Sequence, residues 1–193
     1  MKPLPPDQWD PSLAHIIEAM NGQPIQIHCL LANHPALLNA WWSYRMHSVT
    51  GGDLQQRDTE LVILRVAVRL QAWYEWAAHV DRGLASGLLL EEIYRVVEGP
   101  LADAWADKDA ALLSAVDQLL DQHQISATTQ IELTAFFSGK QVMDIVSLQG
   151  LYVTIACMIG TWPIDIEQRV IDRLPAAVTE ESFRELLLAT HSD

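Results

Sequence analysis

The chain has 193 residues, half of them apolar and 19% charged, with 25 acidic side chains against 12 basic ones and a formal charge of −13. That length suits one globular domain with a sizeable core. So few cations among so many acids exclude binding to a phosphate backbone or an anionic membrane surface, so neither nucleic acid nor membrane is expected as a partner.

The opening residues MKPLPPDQWDP have neither the apolar core nor the cleavage site of a secretory signal, so a cytoplasmic location is expected. They read as an extended, Pro-rich arm. Ser12 can cap a short helix that Gly22 ends, whereas residues 23–34 are ambiguous. Pro35 suits the first turn of the next helix, which Gly51 and Gly52 close. Asp58 is the expected N-cap of the following one, with Leu61, Ile63, Leu64 and Val68 as its apolar stripe. Helical spacing runs on to Ala85, with Gly87 as C-cap. A single helix of that length is unusual in a globular protein, so a break is expected near Leu70–Trp73. One further helix stops at Gly99 and Pro100, and another carries Leu112, Leu113, Val116, Leu119 and Leu120. Ser126 caps the next. Residues 139–162 are the most apolar stretch and are expected to form the central core helix, although no apolar run approaches the ~20 residues of a membrane span. Thr179 caps a last short helix. No strand periodicity occurs, so the class is all-α.

Two cysteines, Cys29 and Cys157, form no Cys-x-x-Cys, so neither a dithiol redox motif nor a thiolate zinc site is written locally. Cys157 reads as a small buried hydrophobe. His34 belongs at a helix start, and His15, His28 and His191 read as arm or surface residues. Trp41, Trp42, Trp73, Trp76, Trp105 and Trp162 suit a core or a subunit contact.

The string WYEWAAHVDRG, residues 73–83, places Glu75 and His79 on one helical face. Read blandly, they are an i,i+4 pair worth a few tenths of a kcal/mol. Read functionally, they are a general acid–base pair, with the carboxylate raising the imidazole pKa towards working pH. Trp73 and Trp76 can wall such a site and lower its dielectric. A metal would need a third ligand such as His47 or His123, and no HExxH string is present, so no metal is expected.

Four strings follow in order: RDTELVILRVAV, YEWAAHVDRGLASGLLLEEIYRVVEGP, ALLSAVDQLLDQHQIS and QVMDIVSLQGLYVTIA. Together they resemble the carboxymuconolactone decarboxylase family of the alkylhydroperoxidase D-like superfamily. The resemblance covers residues 35–167, leaving 1–34 as an amino-terminal arm with short helices and 168–193 as a tail with a short helix, all within one domain. It implies an alkylhydroperoxidase D-like helical bundle and a homo-oligomer, whether dimer, trimer or hexamer. The redox branch keeps an upstream Glu, a Cys-x-x-Cys and a His. Here those positions hold Glu60, Ala72, Glu75 and His79, so both sulfurs are missing and dithiol peroxidase activity is not implied. The Tyr-Glu-Trp-x-x-His string instead matches the cysteine-free, decarboxylase-like branch.

That branch implies a cofactor-free lyase acting on a small carboxylated lactone or related carbonyl compound. Loss of CO2 leaves an enolate that must be protonated at carbon. His79 is then the acid/base, Glu75 its partner and Glu60 a relay, provided the helix break brings Glu60 back. On a straight helix it would sit about 100° off the His79 face. Tyr74, Trp76 and Arg65 are the expected substrate contacts, with Arg65 or Arg69 available to hold a carboxylate. The alternative is a non-catalytic oligomeric member that binds a small molecule or a protein. A third reading, a peroxidase built on Cys29 or Cys157, needs one of them near His79.

Overall fold

The computed structural model describes residues 1–189, so His191 lies outside the described residues. Among these are eleven α-helices and no strand, as the all-α expectation requires. In chain order they are α1 (Ala14–Ala19), α2 (Gln26–Leu31), α3 (Pro35–Met46), α4 (Gln56–Arg69), α5 (Trp73–Ala85), α6 (Leu90–Glu98), α7 (Asp107–Gln122), α8 (Ala127–Thr134), α9 (Gly139–Thr161), α10 (Gln168–Ile171) and α11 (Glu180–Ala189).

The helix at the centre is α4, not α9. It packs against α5, α6, α7 and α9, and every residue from Asp58 to Val68 is buried. Its polar groups survive there because neighbours pair them. Lys108 reaches Asp58 at 2.7 Å, and Arg65 meets Asp117 through two bonds of 2.7 Å. Asp58 is therefore a first-turn residue rather than the N-cap, which is Gln55.

Although α9 is the most apolar helix, it buries only a stripe containing Ile145, Leu148, Leu151, Tyr152 and Ile155. Met143, Val146, Gly150, Thr154 and Cys157 are exposed, which corrects the expected burial of Cys157. By length and composition α9 could cross a membrane, contrary to the sequence expectation. Here it carries buried Asp144 and Gln149 and packs on α4 and α7.

The amino-terminal arm is packed rather than extended. Its prolines start two 3₁₀ turns, Pro6–Gln8 and Pro11–Leu13, and Trp9 and Leu13 are buried. The Leu4 N–H donates to the Cys29 carbonyl at 2.8 Å and the Trp9 indole to the Leu4 carbonyl at 3.0 Å. Asp10 rather than Ser12 accepts the capping bond there. The ambiguous residues 23–34 contain α2, all of whose residues from Ile27 to Leu31 are buried, so His28 is a core residue and not a surface one. His34, Ser126 and Thr179 accept capping bonds from Leu37, Thr129 and Ser182.

The expected break falls at Leu70–Ala72. Gln71 adopts the left-handed region with φ 54°. The Ala72 N–H donates to the Ala67 carbonyl at 2.8 Å and the Gln71 N–H to that of Val68 at 3.0 Å, the two bonds of a Schellman motif. This corner turns α5 back along α4.

Candidate functional site

The turn at Gln71 brings one stripe of α5, comprising Tyr74, Glu75, Ala78, His79 and Arg82, to face α2, α3 and α9. Ile27 and His28 come from α2, Trp41 and Arg45 from α3, and Tyr152 and Ile155 from α9. They line a partly open cavity with about 30 Å³ of free space. The long side chains of Arg45 and Arg82, both half-buried, also border a more open cavity of about 420 Å³ that reaches Gln56, Glu60 and Ser86.

His79 is fully engaged. Its Nδ1 lies 2.6 Å from Glu60 Oε2, and its Nε2 lies 3.1 Å from both Arg82 Nη1 and the Tyr152 hydroxyl. A guanidinium only donates, so Nε2 is an acceptor and the ring proton sits on Nδ1, facing Glu60. The imidazole is neutral. Burial pushes its pKa down, Arg82 and Arg45 push the same way, and Glu60 opposes them without prevailing. This reverses the expected imidazolium. Burial would raise the Glu60 carboxyl, but the His79 N–H, the Arg82 charge and the Gln56 amide, which donates at 2.8 Å, hold it below its ordinary value.

Glu75 is not the hydrogen-bond partner of His79, contrary to the expected pair. Both of its carboxyl oxygens are buried without a partner. Burial raises its pKa well above the ordinary carboxyl value, which favours its neutral, protonated form on the cavity wall. Glu60, nineteen residues upstream, takes the partner's place because the corner folds α5 onto α4.

Among the described residues, no carboxylate lies within ion-pair distance of Arg45 or Arg82. Arg45 donates to Met46 Sδ at 3.3 Å and lies over the Trp42 ring, 5.6 Å from its centroid. Both ring nitrogens of His28 and the Trp41 indole nitrogen are likewise buried and unpartnered.

Two of the expected substrate contacts lie elsewhere. Arg65 is spent on Asp117 and on the Val96 and Val97 carbonyls, at 2.6 and 3.1 Å. Arg69 pairs with Asp117 and Asp121. Trp76 does not line the cavity but faces α11, stacked on Phe183 at 5.1 Å. Tyr74 does line it, although its hydroxyl donates to Glu167 at 3.0 Å. Sequence reasoning missed Arg45, Arg82, His28, Trp41 and Tyr152. Arg82 alone carried a usable signal, three residues after His79 on the same helix.

His47 bonds Asp144 at 3.2 Å, and His123 ends α7 in a left-handed conformation, so neither joins this cavity. No cluster of three or more potential metal ligands exists among the described residues. Neither cysteine lines the cavity. Burial, reinforced by Glu167, pushes the Cys29 thiol up to about 11, away from the thiolate a peroxidase needs.

Residues 35–118 match the Carboxymuconolactone decarboxylase family. No significant match to a curated protein was found. Among solved structures, the chain is similar to the debrominase Bmp8 in its apo form, with a TM-score of 0.74 at 11% identity over 94% of this chain and 96% of that one. The Bmp8 complex with 2,3,4-tribromopyrrole gives 0.72 at 12% identity over 89% and 94%. An uncharacterised peroxidase-related protein from Ralstonia eutropha JMP134, described as an alkylhydroperoxidase AhpD core, gives 0.73 at 17% identity over 89% and 92%.

Proposed function

We propose, from the premise that the chain belongs to the carboxymuconolactone decarboxylase family through residues 35–118 and has the alkylhydroperoxidase D-like fold, that it is a cofactor-free acid–base enzyme acting on a small carboxylated lactone or related carbonyl compound. One observation carries the proposal. Among the described residues, a single cavity holds two guanidiniums without carboxylate partners beside an unpartnered carboxyl group whose neutral form burial favours. An anion supplies what Arg45 and Arg82 lack, and a carbon base supplies what Glu75 lacks.

The chemistry follows from charge. As the bond to the carboxylate breaks, CO2 leaves and the electron pair stays behind as an enolate. Arg45 and Arg82 stabilise that developing charge in a water-poor site. Glu75 gives its proton to carbon, and its carboxylate recovers a proton from solvent. His79, neutral and fixed by Glu60, holds the Arg82 and Tyr152 donors in place. The proton donor is thus Glu75, and His79 is the acceptor that orients the site.

The test is CO2 release from a panel of carboxylated lactones and keto acids. Glu75→Gln and His79→Ala should each lower turnover of the compound that reacts by at least about 10²-fold, and full activity in either would end the assignment of roles. A non-catalytic binding member is the second reading, favoured by the engagement of both His79 nitrogens within the protein. Binding of the panel without any turnover would establish it instead.

A further inference from the structure

We propose that His28 is a specificity-determining contact, reading an oxygen substituent next to the anionic group of the ligand, so that the site prefers small 2-oxo or 2-hydroxy carboxylates to plain ones. This rests on the reading of the cavity as an anion site, and it adds a residue from α2, outside the matched stretch 35–118.

Seven buried side-chain polar atoms lack a partner among the described residues, and five of them, on His28, Trp41 and Glu75, belong to residues of this one cavity. Orphaned polar groups cost stability, and an apolar ring of the same shape would avoid that cost. Their concentration around one space points to a polar ligand. The His28 ring is also held in place, with its centroid 5.4 Å from those of both Trp41 and Trp42 and an edge-on approach to Trp42.

Burial, with Arg45 and Arg82 facing it, pushes the His28 imidazole down to about 3, so the ring is neutral. A neutral imidazole offers one donor and one acceptor, which suits a hydroxyl or an oxo group. The Trp41 N–H adds a second donor. The free space is only about 30 Å³. An oxygen that meets His28 is therefore only a few bonds from the anion held by Arg45 and Arg82. A site built to hydrogen-bond an oxygen rejects the analogue that lacks it, because its own polar groups are then left unpaired.

Lactate, pyruvate and propionate share a three-carbon skeleton and differ at C2, so binding of each is measured by calorimetry on the full chain. Wild type should bind pyruvate or lactate at least tenfold more tightly than propionate. His28→Phe, which keeps the ring between the tryptophans, should erase that preference and leave propionate affinity unchanged. His28→Gln, which keeps a donor and an acceptor, should retain more of the preference than His28→Phe. Equal affinities in wild type, or a preference that survives in His28→Phe, overturn the inference while leaving the anion site standing. If no carboxylate binds wild type, both fall. Turnover plays no part in this readout, so the acid–base assignment stands or falls separately.

Discussion

Replacing Glu75 by Gln isolates one proton. The side chain is buried, neither oxygen has a partner, and burial alone raises its pKa. In the unfolded chain the carboxyl titrates at its ordinary value of 4.5. Between that value and the raised folded one, the native state holds a proton that the unfolded state has released. Stability is therefore full below the ordinary value, declines as pH rises, and is lost once pH passes the folded pKa. The slope is about 1.4 kcal/mol per pH unit. Gln has nearly the same shape and does not titrate. The stability difference between Glu75→Gln and wild type, from urea denaturation at pH 5, 6 and 7, should therefore grow in favour of the variant as pH rises, by up to about 1.4 kcal/mol per unit for as long as pH lies below the folded pKa. Groups common to both proteins cancel in the difference, and Tyr152, whose pKa Glu75 raises further, stays protonated across this range. A flat difference across that range refutes the protonated carboxyl, and with it the assignment of Glu75 as proton donor. The same variant should lower kcat by roughly 10²–10⁴-fold, the range for losing a general acid.

Arg65→Met leaves the Val96 and Val97 carbonyls without their donor, while Asp117 keeps Arg69, so denaturation should show a loss of about 1–3 kcal/mol, whereas carboxylate binding in the folded protein stays at the wild-type level. Gln71→Gly relieves a left-handed residue at the α4–α5 corner and should raise stability by about 1 kcal/mol in the same assay. A thiol reagent should reach Cys29 only on unfolding, and the double Cys→Ala variant should keep full activity. Homo-oligomerisation is proposed through the exposed apolar face of α9, and Met143→Asp should lower the sedimentation coefficient of wild type to that of a monomer.

The helices were legible because their apolar residues recur at helical spacing, and the α4–α5 corner was legible because a continuous helix there would be too long. The identity of the central helix was not. Apolar content points to α9, while α4 hides Asp58, Glu60 and Arg65 among its buried residues. Composition cannot show that Lys108, His79 and Asp117 satisfy them from other helices. The site divides in the same way. Glu75 and His79 were visible as an i,i+4 pair, yet that spacing gave the wrong bond, because Glu75 lines the cavity and His79 turns to Glu60. Tyr152 lies seventy-three residues from His79, and no local pattern joins them. His28 looked like an arm residue until α2 proved to be buried.

The chain supplies the cavity from two kinds of source. Glu60, Glu75, His79 and Arg82 all belong to the α4–α5 hairpin, so one corner at Gln71 fixes their mutual geometry. His28, Trp41 and Arg45 come from α2 and α3, which precede that hairpin. The proton machinery is therefore written on the hairpin, while the preceding piece of chain, through His28, Trp41 and Arg45, adds a second part of the surface that meets the ligand. Substitutions at residues 25–45 can change what the protein accepts while the hydrogen bond between Glu60 and His79 stays as it is. A library confined to those positions, with Arg45 kept because its charge acts on His79, should yield variants with new ligand preferences and an unaltered pH profile.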